Sequence, residues 1–125
     1  MIEKQTGLQR LYSATLNSRN GFAHIWKSEA AFRQELVAAV LLMPLVPFLA
    51  RSLVEGVVLI GLWVLVLVTE LLNTAVELAI DRIGLEHHPL SGLAKDLGSA
   101  AVLMALTLAV GGWLAFLLRW LLQSG

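Results

Sequence analysis

The sequence contains no cysteine, and only 14% of its 125 residues are charged. Without cysteine there can be no disulfide framework, no thiolate nucleophile and no cysteine-based metal site. A soluble domain usually carries about 25% charged residues, whereas 58% of this chain is hydrophobic and its mean hydropathy is +0.77. These deficits predict that lipid, rather than water, surrounds most of the folded chain.

Neither sign of charge is in excess, since nine Lys and Arg residues balance nine Asp and Glu residues. A chain without a basic excess is not a bulk nucleic-acid binder, so we expect no nucleic-acid partner. The phosphate-binding pattern GxxxxGK[ST] is also missing, which argues against a P-loop kinase. Residues 1–21 are polar and lack an apolar core, so we expect no cleavable signal peptide.

Three apolar runs organise the chain, at residues 36–50, 56–69 and 97–118. A membrane-spanning helix needs about 20 residues, so only the third run is long enough without an ionisable residue. A soluble bundle, the alternative, would show polar outer faces, and runs such as LIGLWVLVLV have none. We therefore predict an all-α membrane protein with one integral membrane domain at 1–125 and transmembrane helices at 30–50, 54–81 and 96–119.

Two proline-containing segments modify this layout. Pro44 and Pro47 fall inside the first span, where each removes a backbone donor and predicts a kink or local adjustment. Residues 85–94 contain Pro89 and Gly92 and are predicted to form a loop.

The segment 6–28 mixes apolar and basic side chains and predicts an amphipathic surface helix in the plane of the membrane interface, which Asn20-Gly21 could interrupt. The N-terminal segment holds Lys4, Arg10, Arg19, Lys27 and Arg33, and the second loop holds Arg82 and Lys95. Because Lys and Arg accumulate on the cytoplasmic side, we expect the N-terminus and the second loop to be cytoplasmic.

An acidic row lies along one face of the second span. Glu70, Asn73, Glu77 and Asp81 are spaced 3, 4 and 4 residues apart and fall within about 80° around a helix. A charge deep in the bilayer costs roughly 2.5–3.5 kcal/mol on insertion scales. A helix that only anchors the chain in the membrane would therefore not carry three acids on one face. The row is either a polar seam between helices or a site that binds a metal ion.

Four other patterns have a structural as well as a functional interpretation. Glu29 and Arg33 are one helical turn apart, which fits a surface ion pair, and Asp96 could be a charge near a helix N-terminus. The adjacent His87 and His88 do not share a helix face and are expected to be solvated loop residues. The small residues of the third span predict a packing face, with a subunit interface as a further possibility: Gly98, Ala101, Ala105, Ala109 and Gly112.

Three segments, EAAFRQE (29–35), TELLNTAVELAIDRIG (69–84) and LSGLAKDLGSAAVL (90–103), together resemble the prokaryotic diacylglycerol kinase family in order and spacing. The resemblance implies a homotrimeric, multi-pass enzyme of the bacterial inner membrane, unrelated to soluble kinases. Such an enzyme transfers the γ-phosphate of ATP, with Mg²⁺, to the free hydroxyl of diacylglycerol. The product is phosphatidic acid, formed in phospholipid recycling.

The resemblance also implies roles for individual residues. Glu70 would be the general base, and Glu29 and Glu77 would bind the metal ion. Position 17 is often aromatic in the family, so Asn17 departs from the pattern. Asn73 and Asp81 would support the site. The nucleotide would contact Arg10, Asn17, Glu29, Glu77, Glu86, His87, His88, Lys95 and Asp96, and the lipid would contact Arg10, Ala31, Phe32, Arg33, Gln34, Glu35, Glu70 and Ser99.

Three alternatives remain open at the level of sequence. A polyprenol such as undecaprenol presents a hydroxyl at the same depth as diacylglycerol and could be the substrate. A proton- or ion-conducting oligomer would use Glu70, Glu77 and Asp81 as a relay, although it leaves Lys95-Asp96 without a role. A non-catalytic membrane assembly factor would turn over no ATP at all.

Overall fold

The computed structural model describes residues 6–124, and every regular element within them is helical. Lys4, which contributes to the basic bias, and the outermost residues of the predicted 1–125 domain lie outside this range. The elements in chain order are α1 (Gly7–Ser28), α2 (Ala30–Leu42), a 3₁₀ turn (Met43–Leu45), α3 (Val46–Leu49), α4 (Leu53–Ile83) and α5 (Pro89–Ser124).

Three of the helical segments are long and apolar enough to cross a membrane, namely Ala30–Leu49, Leu53–Ile83 and Pro89–Gln123. Large apolar side chains such as Leu72 and Met104 remain exposed on the outside of the bundle, as expected of a surface that faces lipid. The predicted all-α architecture with three long apolar helices and an additional N-terminal helix is confirmed.

The N-terminal helix α1 runs without a break through Asn20-Gly21, so the interruption that the sequence suggested does not occur. One glycine in a helix costs only about 1 kcal/mol relative to alanine, and the burial of Ile25 favours the helix beyond it. The helix ends where Glu29 becomes extended. Arg33 Nη1 then donates to the carbonyls of Trp26 (2.6 Å) and Lys27 (3.1 Å), which the helix end leaves unpaired.

The expected ion pair between Glu29 and Arg33 is absent, because the Arg33 guanidinium caps α1 instead. The described residues contain two ion pairs, Lys95 with Asp81 and Arg119 with Glu55. The first span shows the predicted local adjustment. Pro44 lies in the 3₁₀ turn and Pro47 in the first turn of α3, where a missing N–H leaves few helical bonds unmade.

The third span begins earlier than the sequence predicted. Only residues 84–88 separate α4 from α5, so most of the predicted loop 85–94 belongs to the helix. Pro89 occupies the first helical position, where its fixed φ suits a helix and its missing N–H costs nothing. The imidazole Nδ1 of His88 accepts a hydrogen bond from Leu90 N at 3.1 Å and thereby caps the first turn.

The core lies mainly along the seam between α4 and α5. Ala105 and Ala109 of the small-residue face are buried against α4, which confirms the predicted packing face and places it within the chain. At Gly112 an added Cβ would lie 2.5 Å from Leu62 Cδ1, so the Leu62 side chain would have to shift to admit a larger residue there. Trp113 Nε1 donates to the Leu59 carbonyl at 3.0 Å and fixes the register of the two helices.

Candidate active site

The acidic row on α4 passes from a buried to an exposed environment along the helix. Glu70 is only 7% exposed, Asn73 and Glu77 are half-buried, and Asp81 is exposed near the C-terminal end of α4. Since α4 is continuous over this stretch, the four side chains lie on one rigid face. Glu70 and Glu77 are about 10 Å apart along the helix axis, which is too far for both to hold one ion side by side.

Glu70 meets a second carboxyl group, that of Glu35 on α2. The two groups lie within hydrogen-bonding reach of each other. Glu35 Oε2 is buried, and no N–H or O–H group of residues 6–124 donates to it. Phe32, one turn earlier on α2, is also buried, so an aromatic ring and an acid lie on the same side of α2.

Asn73 connects the middle of the row to α5. Its Nδ2 donates to Glu77 Oε1 at 3.3 Å, whereas its Oδ1 is buried and receives no hydrogen bond within the described chain. Gly98 of α5 lies directly against this side chain, and a Cβ at position 98 would overlap Asn73 Oδ1. An apolar groove of about 370 Å³ runs beside Asn73 and Gly98 between the two helices.

A polar cleft of about 260 Å³ lies where α4 ends and α5 begins. Lys95 Nζ forms an ion pair with Asp81 Oδ1 at 2.9 Å, and both side chains are nearly half exposed. The cleft is lined by Asp81 and by four of the residues predicted to contact nucleotide: Glu86, His87, His88 and Lys95.

The remaining predicted residues are more dispersed. Arg10 and Asn17 are exposed on α1, Asp96 and Ser99 are exposed on α5, and Glu29 is half-buried between α1 and α2. Ala31 and Gln34 are exposed on α2, while Arg33 caps α1. Within residues 6–124 no group of three or more His, Asp or Glu side chains is placed to hold a metal ion.

Sequence reasoning missed a second polar cluster at the opposite end of the bundle. The Arg119 guanidinium binds both carboxylate oxygens of Glu55, at 2.7 and 3.1 Å, and the Leu49 carbonyl at 2.9 Å. Its Cζ atom lies over the Phe116 ring, 5.0 Å from the ring centroid. The sequence feature that could have predicted this cluster is one acid, Glu55, and one base, Arg119, each in an apolar segment. An antiparallel pair of helices brings the two residues to the same end of the bundle.

The sequence is similar to a known protein family over most of its length. Residues 16–117 match the family model described as prokaryotic diacylglycerol kinase. The chain belongs to the prokaryotic diacylglycerol kinase family. This confirms the resemblance that the three sequence segments indicated, and the match covers the first two long helices and most of α5.

Members of this family with high similarity occur in several bacteria, each named diacylglycerol kinase. The protein of Pseudomonas aeruginosa is 46% identical over 114 residues, which are 91% of this chain and 93% of the relative. That of Escherichia coli K12 is 45% identical, covering 90% and 93%. A Helicobacter pylori relative is 38% identical, covering 92% and 90%. The chain is therefore an enzyme of the kinase class and a bacterial membrane protein.

Proposed function

We propose that the chain transfers the γ-phosphate of ATP to the free hydroxyl of diacylglycerol and yields phosphatidic acid for phospholipid recycling. The observation that carries this proposal is the gradient along α4, from the buried Glu70 to the exposed Asp81 beside Lys95. A lipid hydroxyl needs apolar surroundings, whereas a charged nucleotide needs a polar, exposed site. Their reacting groups must nevertheless meet along one line, and a single rigid helix face satisfies both demands.

Glu70 is our candidate for the general base. A carboxylate in an apolar part of the bundle can accept the hydroxyl proton as the oxygen attacks phosphorus. Residues 31–35 of α2 and Ser99 of α5 would hold the lipid near it. The buried Phe32 and the contact between Glu35 and Glu70 support this position for the lipid.

The residues of the row also suit a magnesium ion brought by the nucleotide. Mg²⁺ is usually bound by one or two carboxylates together with substrate phosphates, so a complete protein cage is not required. Glu77 is half-buried, and Asn73 donates to only one of its oxygens, which leaves the other for a cation. Glu29 would supply the second carboxylate. When bound, the ion would neutralise charge on the phosphates.

The polar cleft is our candidate nucleotide site. Lys95 would exchange its partner Asp81 for phosphate oxygens, since an exposed ion pair is worth little and can be broken at small cost. Glu86, His87, His88 and Asp96 would surround the remainder of the nucleotide, and Arg10 and Asn17 of α1 would contact it from the surface helix.

We further propose that the enzyme is a homotrimer in the bacterial inner membrane, with a cytoplasmic N-terminus. The excess of Lys and Arg before the first span and in the second loop supports this orientation. It exposes the polar cleft to cytoplasmic ATP. Native mass spectrometry in detergent micelles should detect three copies, and a monomeric active enzyme would reject the trimer.

The function is tested by transfer of labelled phosphate from ATP to diacylglycerol by the purified protein in mixed micelles. We expect magnesium-dependent formation of labelled phosphatidic acid, and its loss in Glu70→Gln and Glu77→Gln. Undecaprenol assayed in parallel tests the rival substrate, and its preferred phosphorylation would overturn the choice of diacylglycerol. Retained transfer in Glu77→Gln together with altered ion flux would instead favour a conducting oligomer.

A further inference from the structure

One side of the N-terminal helix α1 carries an apolar strip that the described chain leaves largely exposed. Four large apolar or aromatic side chains lie within about 80° of one another around the helix: Leu8, Tyr12, Leu16 and Trp26. Their exposed fractions range from 43% to 83%, whereas Ile25, on another side of α1, is only 2% exposed. A contiguous exposed strip of this kind is typical of a surface that contacts another molecule.

Arg19 lies in the middle of this strip. It follows Leu16 by three residues, and it is seven residues from both Tyr12 and Trp26, so these side chains surround it on the helix surface. Arg19 is exposed, and no group of residues 6–124 forms an ion pair or hydrogen bond with its guanidinium. A partner that covers the strip must therefore offer apolar groups and an anion side by side.

The charge of α1 favours a membrane lipid over a second copy of the chain. The helix contains Arg10, Arg19 and Lys27, and the range Gly7–Ser28 contains no Asp or Glu. A second α1 strip would bring the same positive charges and no acid to pair with Arg19, so two strips repel each other. A phospholipid places a phosphate next to acyl chains, and a guanidinium binds phosphate through two parallel N–H groups.

Two hydroxyl groups of α1 already have partners within the helix. Thr15 Oγ1 donates to the Leu11 carbonyl at 2.8 Å, and Ser18 Oγ donates to the Ala14 carbonyl at 2.7 Å. A hydroxyl that is bonded inside its own helix can leave water at little cost. Contact of α1 with the boundary between headgroups and acyl chains therefore leaves neither hydroxyl without a partner.

We propose that α1 is a binding surface for anionic phospholipids, in which Arg19 holds a headgroup phosphate while the strip contacts the acyl chains. The aliphatic part of Arg19 extends over the strip and places the guanidinium at the level of the phosphates. This surface is separate from the candidate nucleotide contacts on the same helix, because Arg10 and Asn17 lie about 160–180° away from Arg19 around the helix axis.

Lipid contact can be measured beside Arg19 in the full-length protein. Ala23 is exposed and lies one helical turn from both Arg19 and Lys27, and the chain has no cysteine, so a bimane on Ala23→Cys reports on this position alone. The protein is reconstituted in vesicles of phosphatidylcholine and phosphatidylglycerol in equal amounts, and one lipid at a time carries a nitroxide quencher high on an acyl chain. We expect labelled phosphatidylglycerol to quench the bimane more strongly than labelled phosphatidylcholine.

Substitutions then test whether Arg19 causes this preference. Arg19→Gln should lower the ratio of the two quenching efficiencies about fivefold, which corresponds to about 1 kcal/mol for one basic side chain at an anionic surface. Arg19→Lys keeps the charge and should retain most of the preference. Lys27→Gln is the matched control, since it removes one charge at the same spacing from the probe, next to Asn20 and His24 rather than within the strip. It should lower the ratio much less than Arg19→Gln.

Three results would overturn the proposal. Equal quenching by the two lipids in the protein with Arg19 in place would show that the surface does not select anionic lipid, and this measurement requires no substitution at Arg19. Equal losses in Arg19→Gln and Lys27→Gln would show a diffuse attraction rather than a site at Arg19. Absence of quenching by either lipid would show that protein, rather than lipid, covers the strip.

Discussion

At the scale of single residues, the position of one uncharged side chain, that of Asn73, depends on a close contact between α4 and α5. Gly98 has no side chain, and for this reason Asn73 can lie against α5 while its Nδ2 reaches Glu77. The buried Oδ1 of the same amide has no donor in the described chain. Asn73 is thus held by packing on one side and by a single hydrogen bond on the other.

Replacing Gly98 with alanine should reduce activity more than stability. The added Cβ would overlap the end of the Asn73 side chain, which can rotate away but then loses its bond to Glu77. We expect turnover with diacylglycerol to fall several-fold while the thermal unfolding temperature changes little. Turnover and thermal unfolding in the same micelles measure the two effects.

Gly111→Ala is the matched control, because it lies on the same helix and an added Cβ there meets nothing within 4 Å. This variant should be fully active and up to about 1 kcal/mol more stable, since alanine favours a helix over glycine. Equal activity of the two alanine variants would show that the position of Asn73 does not control Glu77.

At the scale of elements, helix starts were harder to predict than helix identities. Hydrophobic runs predict the three long helices correctly, but Pro89 and Gly92 also predict a loop, whereas Pro89 is the first residue of α5. Proline is compatible with a loop and with the first turn of a helix. The feature that decides for the helix is the His88 Nδ1 atom, which accepts a hydrogen bond from Leu90 N. Histidine is not among the preferred N-cap residues, so the residue pattern does not predict a helix start at this position.

His88 therefore has two separable roles, as the cap of α5 and as a candidate nucleotide contact. His88→Asn should keep the cap, because the asparagine side-chain oxygen can also accept a hydrogen bond from the second helical N–H. His88→Ala should lose it and destabilise the protein by about 1 kcal/mol. Thermal unfolding should thus separate the two variants.

The KM for ATP tests the second role of His88. If the imidazole contacts nucleotide, KM should rise in both variants, including the stable His88→Asn. An unchanged KM in His88→Asn would restrict His88 to capping. The lining of the cleft by His87 and Lys95 would then be sufficient for the nucleotide.

At the scale of the whole molecule, the sequence predicted the architecture and the acidic row, but not which side chains on different helices meet. The spacing of Glu70, Glu77 and Asp81 follows from one helix and could be calculated. The contacts of Glu35 with Glu70, of Gly98 with Asn73 and of Arg119 with Glu55 depend on how helices distant in sequence pack. A periodic pattern contains no information about that packing beyond which faces are apolar.

The predicted orientation can be checked directly because the chain has no native cysteine to give background labelling. We expect Arg51→Cys, in the first loop, to react with a membrane-impermeant maleimide added to spheroplasts. Leu85→Cys, in the second loop, should react only in inverted vesicles. Replacing Arg51 removes a positive charge from the loop predicted to lie outside, so it should not reverse the topology. The opposite labelling pattern would invert the assignment.

The two ion pairs limit how the bundle can move. Both join α4 to α5, one through Glu55 and Arg119 and the other through Asp81 and Lys95. Glu55 and Asp81 are about 39 Å apart along α4, so the two links lie near opposite ends of the seam. Sliding of one helix along the other would break the bidentate Glu55–Arg119 pair and the bond from Trp113 to Leu59, whereas the exposed Lys95–Asp81 pair adds little resistance. Shear between α4 and α5 is therefore disfavoured.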